Sequence, residues 1–147
     1  MIGWLIVGSL VAGAPALKDR PTVGGPVVGD WVLAGWVVDG QVLPLPAAPW
    51  AYGFTPDGRL LTGADGRPPA ETGTYRVDPN KVPARIDLRG ARSPTGRPTP
   101  GIYKVEGDTL TLCLWVGRAS EPERPTRFAA PAGSDTVLLT LKRAKPE

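Results

Sequence analysis

The residue types that carry most enzyme chemistry are scarce in this sequence. It contains no histidine, so the commonest general base and the commonest metal ligand are both absent. Its only cysteine, Cys113, lies among apolar residues of an expected strand, where a thiol behaves as a small, inert hydrophobe. We therefore expect no Ser-His or Cys-His catalysis and no internal disulfide.

Paired carboxylates are the remaining route to hydrolytic chemistry, because two acids that meet in a cleft can act as acid and base. Most aspartates adjoin glycine or proline, where turn formation accounts for them. The acids left over are Asp30, Glu71, Asp87 and Glu106. Neither a metal-ligand spacing nor a glycine loop leading into a helix accompanies them. The sequence predicts no catalytic residues, no metal and no cofactor, and hence a protein that is not an enzyme.

Aromatic side chains are the other candidates for a functional site. Tryptophan and tyrosine can line a ligand cavity, but they also fill cores well, so both interpretations stay open for each residue. The candidates for ligand contact are Trp36, Trp50, Tyr52, Tyr75, Tyr103 and Trp115, and Phe54 shares the same two interpretations.

The charge distribution argues against a nucleic-acid partner. The net charge is +3, from 17 basic and 14 acidic residues, and the excess is spread along the chain. A nucleic-acid-binding surface would usually show a basic cluster with exposed aromatics. The densest basic stretch contains Arg85, Arg89, Arg92 and Arg97. It is typical of a solvated edge strand and loop whose charges oppose edge pairing; the alternative is a site for an anionic ligand.

The N-terminal segment reads as a targeting signal. The apolar run Ile2–Val11 is too short for a membrane-spanning helix, which needs about 20 residues. Ala14-Pro15-Ala16 follows as a cleavage pattern, so residues 1–16 are expected to be a signal peptide, 17–28 a linker, and the mature protein free of a membrane span. We expect export to the periplasm, the cell envelope or the medium. No Lys or Arg precedes the run, and the alternative is an extension that packs on the domain.

Residues 29–143 have the pattern of one all-β domain, followed by a tail at 144–147. The 19 glycines and 18 prolines fall mostly between short apolar runs. Asp39-Gly40 is a strong hairpin signal, since both residues tolerate the positive φ of a type I′ turn. Turn signals recur about every ten residues without helical periodicity, which predicts an antiparallel sandwich or barrel. The expected strands are Trp31–Val38, Gln41–Leu43, Trp50–Thr55, Arg59–Gly63, Glu71–Val77, Ala84–Arg89, Ile102–Glu106, Thr109–Val116, a short strand at Phe128, and Thr136–Arg143.

Several motifs, taken together and in order, resemble a known family. They are Gly29-Asp30-Trp31, the hairpin at Asp39-Gly40, Gly73–Pro79, Ile86-Asp87-Leu88, Gly101–Leu110, and Arg124-Pro125 before Phe128. The chain resembles the lipocalin-like domain family expanded in planctomycete-type bacteria. This resemblance implies an up-and-down, calycin-type barrel of about eight strands, often behind a signal peptide, and it implies no reaction.

The resemblance also implies a structural role for Trp31. Gly29-Asp30-Trp31 matches the G-x-W motif that opens the first strand of lipocalins. There the tryptophan closes one end of the barrel and is covered by a basic side chain near the last strand, as a cation over an indole face. The candidates for that cation are Arg124, Lys142 and Arg143.

Two functions remain as expectations. The first is a non-enzymatic exported barrel that binds a small apolar or amphipathic ligand in its interior. The second is a structural or protein-interaction module of the cell envelope with a filled core, whose binding surface would be the loops Pro44–Trp50, Ser93–Pro100 and Arg118–Pro125. An eight-stranded barrel is just wide enough to be filled or to admit one small ligand, so the volume of the interior distinguishes the two.

Overall fold

The computed structural model describes residues 25–48, 50–64, 66–90, 98–117 and 123–144. A 3-10 helix, Gly25–Val27, precedes the strands β1 Gly29–Val38, β2 Gln41–Val42, β3 Ala51–Phe54, β4 Arg59–Gly63, β5 Ala70–Asp78, β6 Arg85–Gly90, β7 Thr99–Glu106, β8 Thr109–Trp115 and β9 Thr136–Arg143. The expected signal peptide, residues 17–24 of the expected linker and the last three residues of the tail lie outside the described residues.

The strands form a closed antiparallel barrel. They follow one another around the sheet in chain order, and β9 pairs with β1 to close it. β2 and β3 both pair with β1 and together occupy one strand position, so the nine strands form an eight-stranded barrel. The expected fold class, an up-and-down lipocalin-like barrel, is confirmed.

Closure corrects the interpretation of the basic stretch. Arg85 and Arg89 are exposed on β6, and β6 pairs with β5 on one side and with β7 on the other. These arginines therefore do not protect a sheet edge, because this strand has none. Arg92 and Arg97 lie outside the described residues.

The second strand of the barrel is split in two. β3 pairs with the start of β1 and β2 pairs with its end, after the turn at Asp39-Gly40. That turn has φ values of 53° and 79°, so the expected type I′ hairpin is confirmed. Between β2 and β3 the chain leaves the sheet, but Leu43 and Trp50 still hydrogen-bond to β1. The excursion between them leaves the sheet opposite Trp36 and rejoins it opposite Leu33.

The core follows the period-two pattern expected for β7 and β8. Tyr103 pairs with Leu112 and Val105 pairs with Leu110, and all four side chains belong to or pack on the buried cluster inside the barrel. Leu114 continues the same face. The expected division of β8 into an apolar inner face and an opposite face is confirmed.

A β-bulge on β1 decides which of its side chains point inward. On β9, Leu141 pairs with Leu33, whereas Leu139 pairs with Trp36, so β1 contains one residue more than its partner over this span. Such an extra residue reverses the alternation of the strand beyond it. Trp31 and Leu33 on one side of the bulge and Trp36 on the other therefore all contact the core.

The segment 123–135 crosses the outer surface of the barrel without forming a strand, so the short strand expected at Phe128 is wrong. Ile102, Cys113 and Ala130 are buried, although they lie outside the main core cluster. The thiol of Cys113 donates a hydrogen bond of 3.3 Å to the carbonyl oxygen of Ala129, and burial raises its pKa. This segment therefore covers the barrel from outside and adds no strand to it.

Candidate functional site

The two ends of the barrel differ in how completely side chains fill them. We call the end where β1 begins the Trp31 end and the end where β1 finishes the Trp36 end. At the Trp31 end, Val27, Trp31, Leu110 and Leu141 have no exposed surface. At the Trp36 end, the aromatic side chains that face the core are half-buried. A ligand that enters the barrel would therefore meet fewer obstacles at the Trp36 end.

Trp31 is held from two sides at its own end. Its indole Nε1 donates a hydrogen bond of 2.9 Å to the carbonyl oxygen of Val27, in the segment assigned from sequence to the linker. The guanidinium of Arg143 lies 4.2 Å from the centre of the Trp31 ring. Gly29 makes room for this cation, because a Cβ there would lie 2.6 Å from Arg143 Nη1. Trp31 is therefore fully buried, with a cation over its ring at the contact distance of a cation–π pair.

The register of β9 places Arg143, and not its neighbour, at Trp31. Arg143 pairs directly with Trp31, so the two side chains share a face. Lys142 points to the opposite face, where its Nζ donates a hydrogen bond of 2.6 Å to Thr109. The alternation of Leu139 and Leu141 on β9 is the sequence signal that would have favoured Arg143.

Arg124, the third candidate cation, lies on the outer surface of β6 and β7. It donates hydrogen bonds of 3.2 Å and 2.8 Å to the carbonyl oxygens of Ile86 and Gly101. Its other terminal nitrogen lies 2.7 Å from a carboxylate oxygen of Asp87. Arg124 therefore fastens the beginning of the segment 123–135 to two neighbouring strands.

Two of the expected ligand-contact residues, Trp36 and Trp50, meet at the Trp36 end, and a third, Tyr52, pairs with Trp31 on the same inner face. The ring centres of Trp36 and Trp50 are 5.6 Å apart with their planes tilted by 53°, and Tyr52 follows on β3, packed on the same core. Trp36 Nε1 donates a hydrogen bond of 3.1 Å to Pro44. Trp50 Nε1 is buried and has no hydrogen-bond partner in the described part of the chain. Burial raises the pKa of Tyr52, so its phenol stays protonated at neutral pH.

A cleft of about 670 Å³ lies at β4, β5 and the loop between them, and none of these aromatic residues lines it. The register pair Tyr52 and Thr62 connects the aromatic wall to the cleft, since directly opposed side chains on neighbouring strands share a face. The residues that line the cleft include Leu60, Thr62, Arg67, Ala70, Thr72 and Gly90. Sequence reasoning missed these residues, although the alternation of Leu60 and Thr62 on β4 could have placed both on an inner face.

The other expected ligand-contact residues lie elsewhere. Tyr75 packs edge-on against Phe54, with ring centres 5.0 Å apart, and its hydroxyl donates a hydrogen bond of 2.5 Å to the carbonyl of Thr55. Burial, together with the charge of Asp57, raises the pKa of Tyr75 to about 12. Tyr103 is buried at the Trp31 end, where it borders a shallow depression of about 580 Å³.

Trp115 lies on the outer face of the barrel. It pairs with Thr136, whose hydroxyl contacts the outer segment at Ala129. The alternation of β8 puts it opposite Leu114, which faces the core. Trp115 therefore takes no part in the cluster at the Trp36 end.

The four carboxylates considered from sequence lie on different strands. Glu71 lies 3.4 Å from Arg59, Asp87 2.7 Å from Arg124 and Glu106 3.5 Å from Lys104, while Asp30 is exposed on β1. Each of the three paired acids thus faces its own cation. Within the described ranges, no group of three or more His, Cys, Asp or Glu side chains could hold a metal ion.

Comparison of the chain with protein-family models, curated proteins and solved structures completes the description of the site. None of the three searches finds a match. In the part of the chain that the structure describes, no helix is long and apolar enough to cross a membrane.

Proposed function

We propose that this chain is a non-enzymatic, exported, lipocalin-like barrel that binds one small apolar or amphipathic ligand at its Trp36 end. The carrying observation is the unequal filling of the interior. The side chains that fill the Trp31 end have no exposed surface, whereas at the Trp36 end Trp36 and Trp50 are only half-buried, although Leu139 and Leu114 are buried there. A cleft of about 670 Å³ adjoins the interior at Thr62, the register partner of Tyr52. Small-molecule sites commonly have volumes of about 300–1,000 Å³ and mostly apolar walls.

Two further observations support the family and the export in this proposal. Arg143 covers Trp31 in the way that the lipocalin-like resemblance implies. The apolar run Ile2–Val11, followed by Ala14-Pro15-Ala16, supports cleavage and export. N-terminal sequencing of the protein from its native host tests the export. A new N-terminus near residue 17 is the expected result, and an intact Met1 in the cytoplasmic fraction contradicts it.

Binding is tested with N-phenyl-1-naphthylamine, a neutral, apolar probe whose fluorescence rises on transfer from water. The full chain is expected to bind one equivalent. Trp36→Leu is expected to weaken binding about tenfold, equivalent to about 1.4 kcal/mol, because it removes half of the aromatic pair. Trp115→Leu is the matched control, since it removes the same side chain from the outer face, and we expect the affinity to change by less than about twofold.

Native mass spectrometry of the protein purified from its host without denaturation gives an independent measurement. A small bound mass that leaves on mild activation supports a carrier and identifies the class of its cargo. A clean apo mass, together with absent probe binding or equal losses in the two tryptophan variants, contradicts the proposal.

The exposed apolar side chains favour a second candidate, a protein-interaction module of the cell envelope. Val42 on β2 is 80% exposed, and Leu45 and Val116, also near the Trp36 end, are about half exposed. Parts of the three loops expected to form its surface (Pro49, residues 93–97 and residues 118–122) lie outside the described residues. Combined Val42→Lys and Leu45→Lys substitutions are expected to lower retention in the envelope fraction while leaving probe binding intact. Unchanged retention would contradict this candidate.

A further inference from the structure

The two charged side chains that line the cleft at β4 and β5 differ in their partners. They are Arg67 and Glu71. Glu71 lies 3.4 Å from the guanidinium of Arg59, so it already has a cation beside it. Arg67 takes part in none of the ion pairs of the described residues. One positive charge at the wall of the cleft is therefore available to a ligand.

The rest of the described wall is apolar or already hydrogen-bonded. The hydroxyl of Thr62 donates a hydrogen bond of 3.1 Å to the hydroxyl of Thr72 on the neighbouring strand. Leu60 is buried and belongs to the core cluster, whereas Arg67 is exposed. The cleft thus has an apolar inner end and a cationic mouth, which is the polarity that an amphipathic anion requires.

The backbone that carries Arg67 is folded closely against β4. Its N–H donates a hydrogen bond of 3.0 Å to the carbonyl oxygen of Ala64, and Gly66 has a φ of 77°. A Cβ at Gly63 would lie 2.5 Å from the carbonyl oxygen of Arg67, so only glycine permits this approach. The guanidinium therefore extends from a fixed point at the mouth, which reduces the entropy lost when a ligand binds.

We propose that Arg67 binds the carboxylate of an amphipathic ligand whose apolar part lies along the cleft towards Leu60. This inference rests on the proposed ligand-binding function and names the ligand class, amphipathic monoanions. A guanidinium can donate two parallel hydrogen bonds to a carboxylate, which gives such a pair its specificity. The carboxylate of Glu71 in the same wall repels a second negative charge, so the site favours a monoanion over a dianion such as a phosphate monoester.

The test uses decanoate and decan-1-ol, which have hydrocarbon tails of similar length and differ in the charge of the head. Isothermal titration calorimetry of the full chain at neutral pH gives the ratio of their dissociation constants. Comparing this ratio between proteins cancels the cost of removing each probe from water. Arg67→Gln is expected to reduce the preference for decanoate about fivefold, equivalent to about 1 kcal/mol. Arg67→Lys keeps the charge and should retain more of the preference than Arg67→Gln does.

Arg85→Gln is the matched control. It also removes one positive charge, but from an exposed position on β6 that does not line the cleft, so the preference should stay within about twofold of the wild type. An unchanged preference in Arg67→Gln overturns the inference, and this is the result expected if Asp65, which lies outside the described residues, neutralises the guanidinium. Equal losses in Arg67→Gln and Arg85→Gln overturn it as well, because the net charge of the chain would then account for the preference.

Nuclear magnetic resonance of the wild-type chain tests the position of the ligand without a variant. The methyl resonances of Thr62 and Thr72, which both line the cleft, should shift on addition of either probe. The side-chain Nε–H resonance of Arg67 should shift with decanoate and much less with decan-1-ol. Binding of decanoate that leaves all three resonances unmoved contradicts the inference. If neither probe binds the wild-type chain, the proposed ligand-binding function fails instead.

Discussion

Arg124 offers the sharpest test of how the outer segment is held. Its side chain is 27% exposed, and it makes three charge-assisted hydrogen bonds, to two backbone carbonyls and to Asp87. Hydrogen bonds to charged groups contribute about 1.5–3 kcal/mol each when buried. Partial exposure of both partners reduces the contribution of each bond. We therefore expect Arg124→Met to lower the free energy of unfolding by about 2–4 kcal/mol in total.

For a chain of this length, roughly 3 °C of unfolding midpoint corresponds to 1 kcal/mol, so the midpoint of Arg124→Met should fall by roughly 6–12 °C. Thermal denaturation followed by near-ultraviolet circular dichroism measures this shift. Labelling of Cys113 with a thiol reagent provides a second readout, because that thiol bonds to the segment that Arg124 fastens. Its labelling should be faster in Arg124→Met under native conditions.

Arg59→Met is the matched control. Arg59 also contacts two acids, Asp57 at 3.2 Å and Glu71 at 3.4 Å, but more than half of each of these side chains is exposed. Solvent screens such pairs, so the midpoint should stay within experimental scatter of the wild type. Equal midpoint losses in the two variants would refute the reasoning, because burial of the cation would then not decide its contribution.

Three further predictions concern the packing at Gly101, the cation over Trp31 and the dependence of stability on pH. Gly101→Ala places a Cβ 2.5 Å from a leucine methyl of β8 and 2.7 Å from a backbone oxygen, and should cost about 1–3 kcal/mol in urea denaturation. Gly35→Ala, whose Cβ comes no closer than 3.9 Å to a neighbour, should stay near wild type. Arg143→Met removes the cation over the buried indole and should cost about 1–2 kcal/mol, whereas Lys142→Met, on the exposed face, should leave the midpoint unchanged. The raised pKa of Tyr75, about 12 against an ordinary 10, means that the unfolded chain ionises first, so this residue's contribution to stability is complete below pH 10 and is lost as the pH rises towards 12.

Each of these outcomes can be contradicted. A Gly101→Ala protein as stable as the wild type would mean that β8 yields to the added methyl without cost. Identical losses from Arg143→Met and Lys142→Met would remove the special role of the cation over the indole. If the free energy of unfolding depends on pH in the same way for the wild type and Tyr75→Phe between pH 10 and 12, ionisation of this phenol is not coupled to unfolding.

The local elements could be predicted from sequence because turn chemistry and alternation are local signals. Asp39-Gly40 adopts the positive φ values that its residue types favour, and the bounds expected for Arg59–Gly63 and Thr136–Arg143 are confirmed. The inner face of β8 followed directly from the spacing of its leucines. These features need no knowledge of which strands become neighbours.

The parts that were missed depend on neighbours distant in sequence. The residues around Phe128 are apolar enough to suggest a short strand, but this segment covers the barrel from outside and pairs with no strand. The alternation of Leu139 and Leu141 favours Arg143 over Lys142, but only the register of β9 against β1 places Arg143 opposite Trp31. The alternation of Leu60 and Thr62 could place both on an inner face, but the cleft itself arises only when β4, β5 and the end of β6 are assembled.

The extra residue on β1 gives this strand one position that can be lost without changing what faces the core. Because Leu33 pairs with Leu141, Gly35 with Thr140 and Trp36 with Leu139, deleting Ala34 would leave these three residues in ordinary alternation. Trp36 would still face the core opposite Leu139. A variant of this chain that is one residue shorter at the bulge is therefore expected to keep both its fold and the side chains that line its interior.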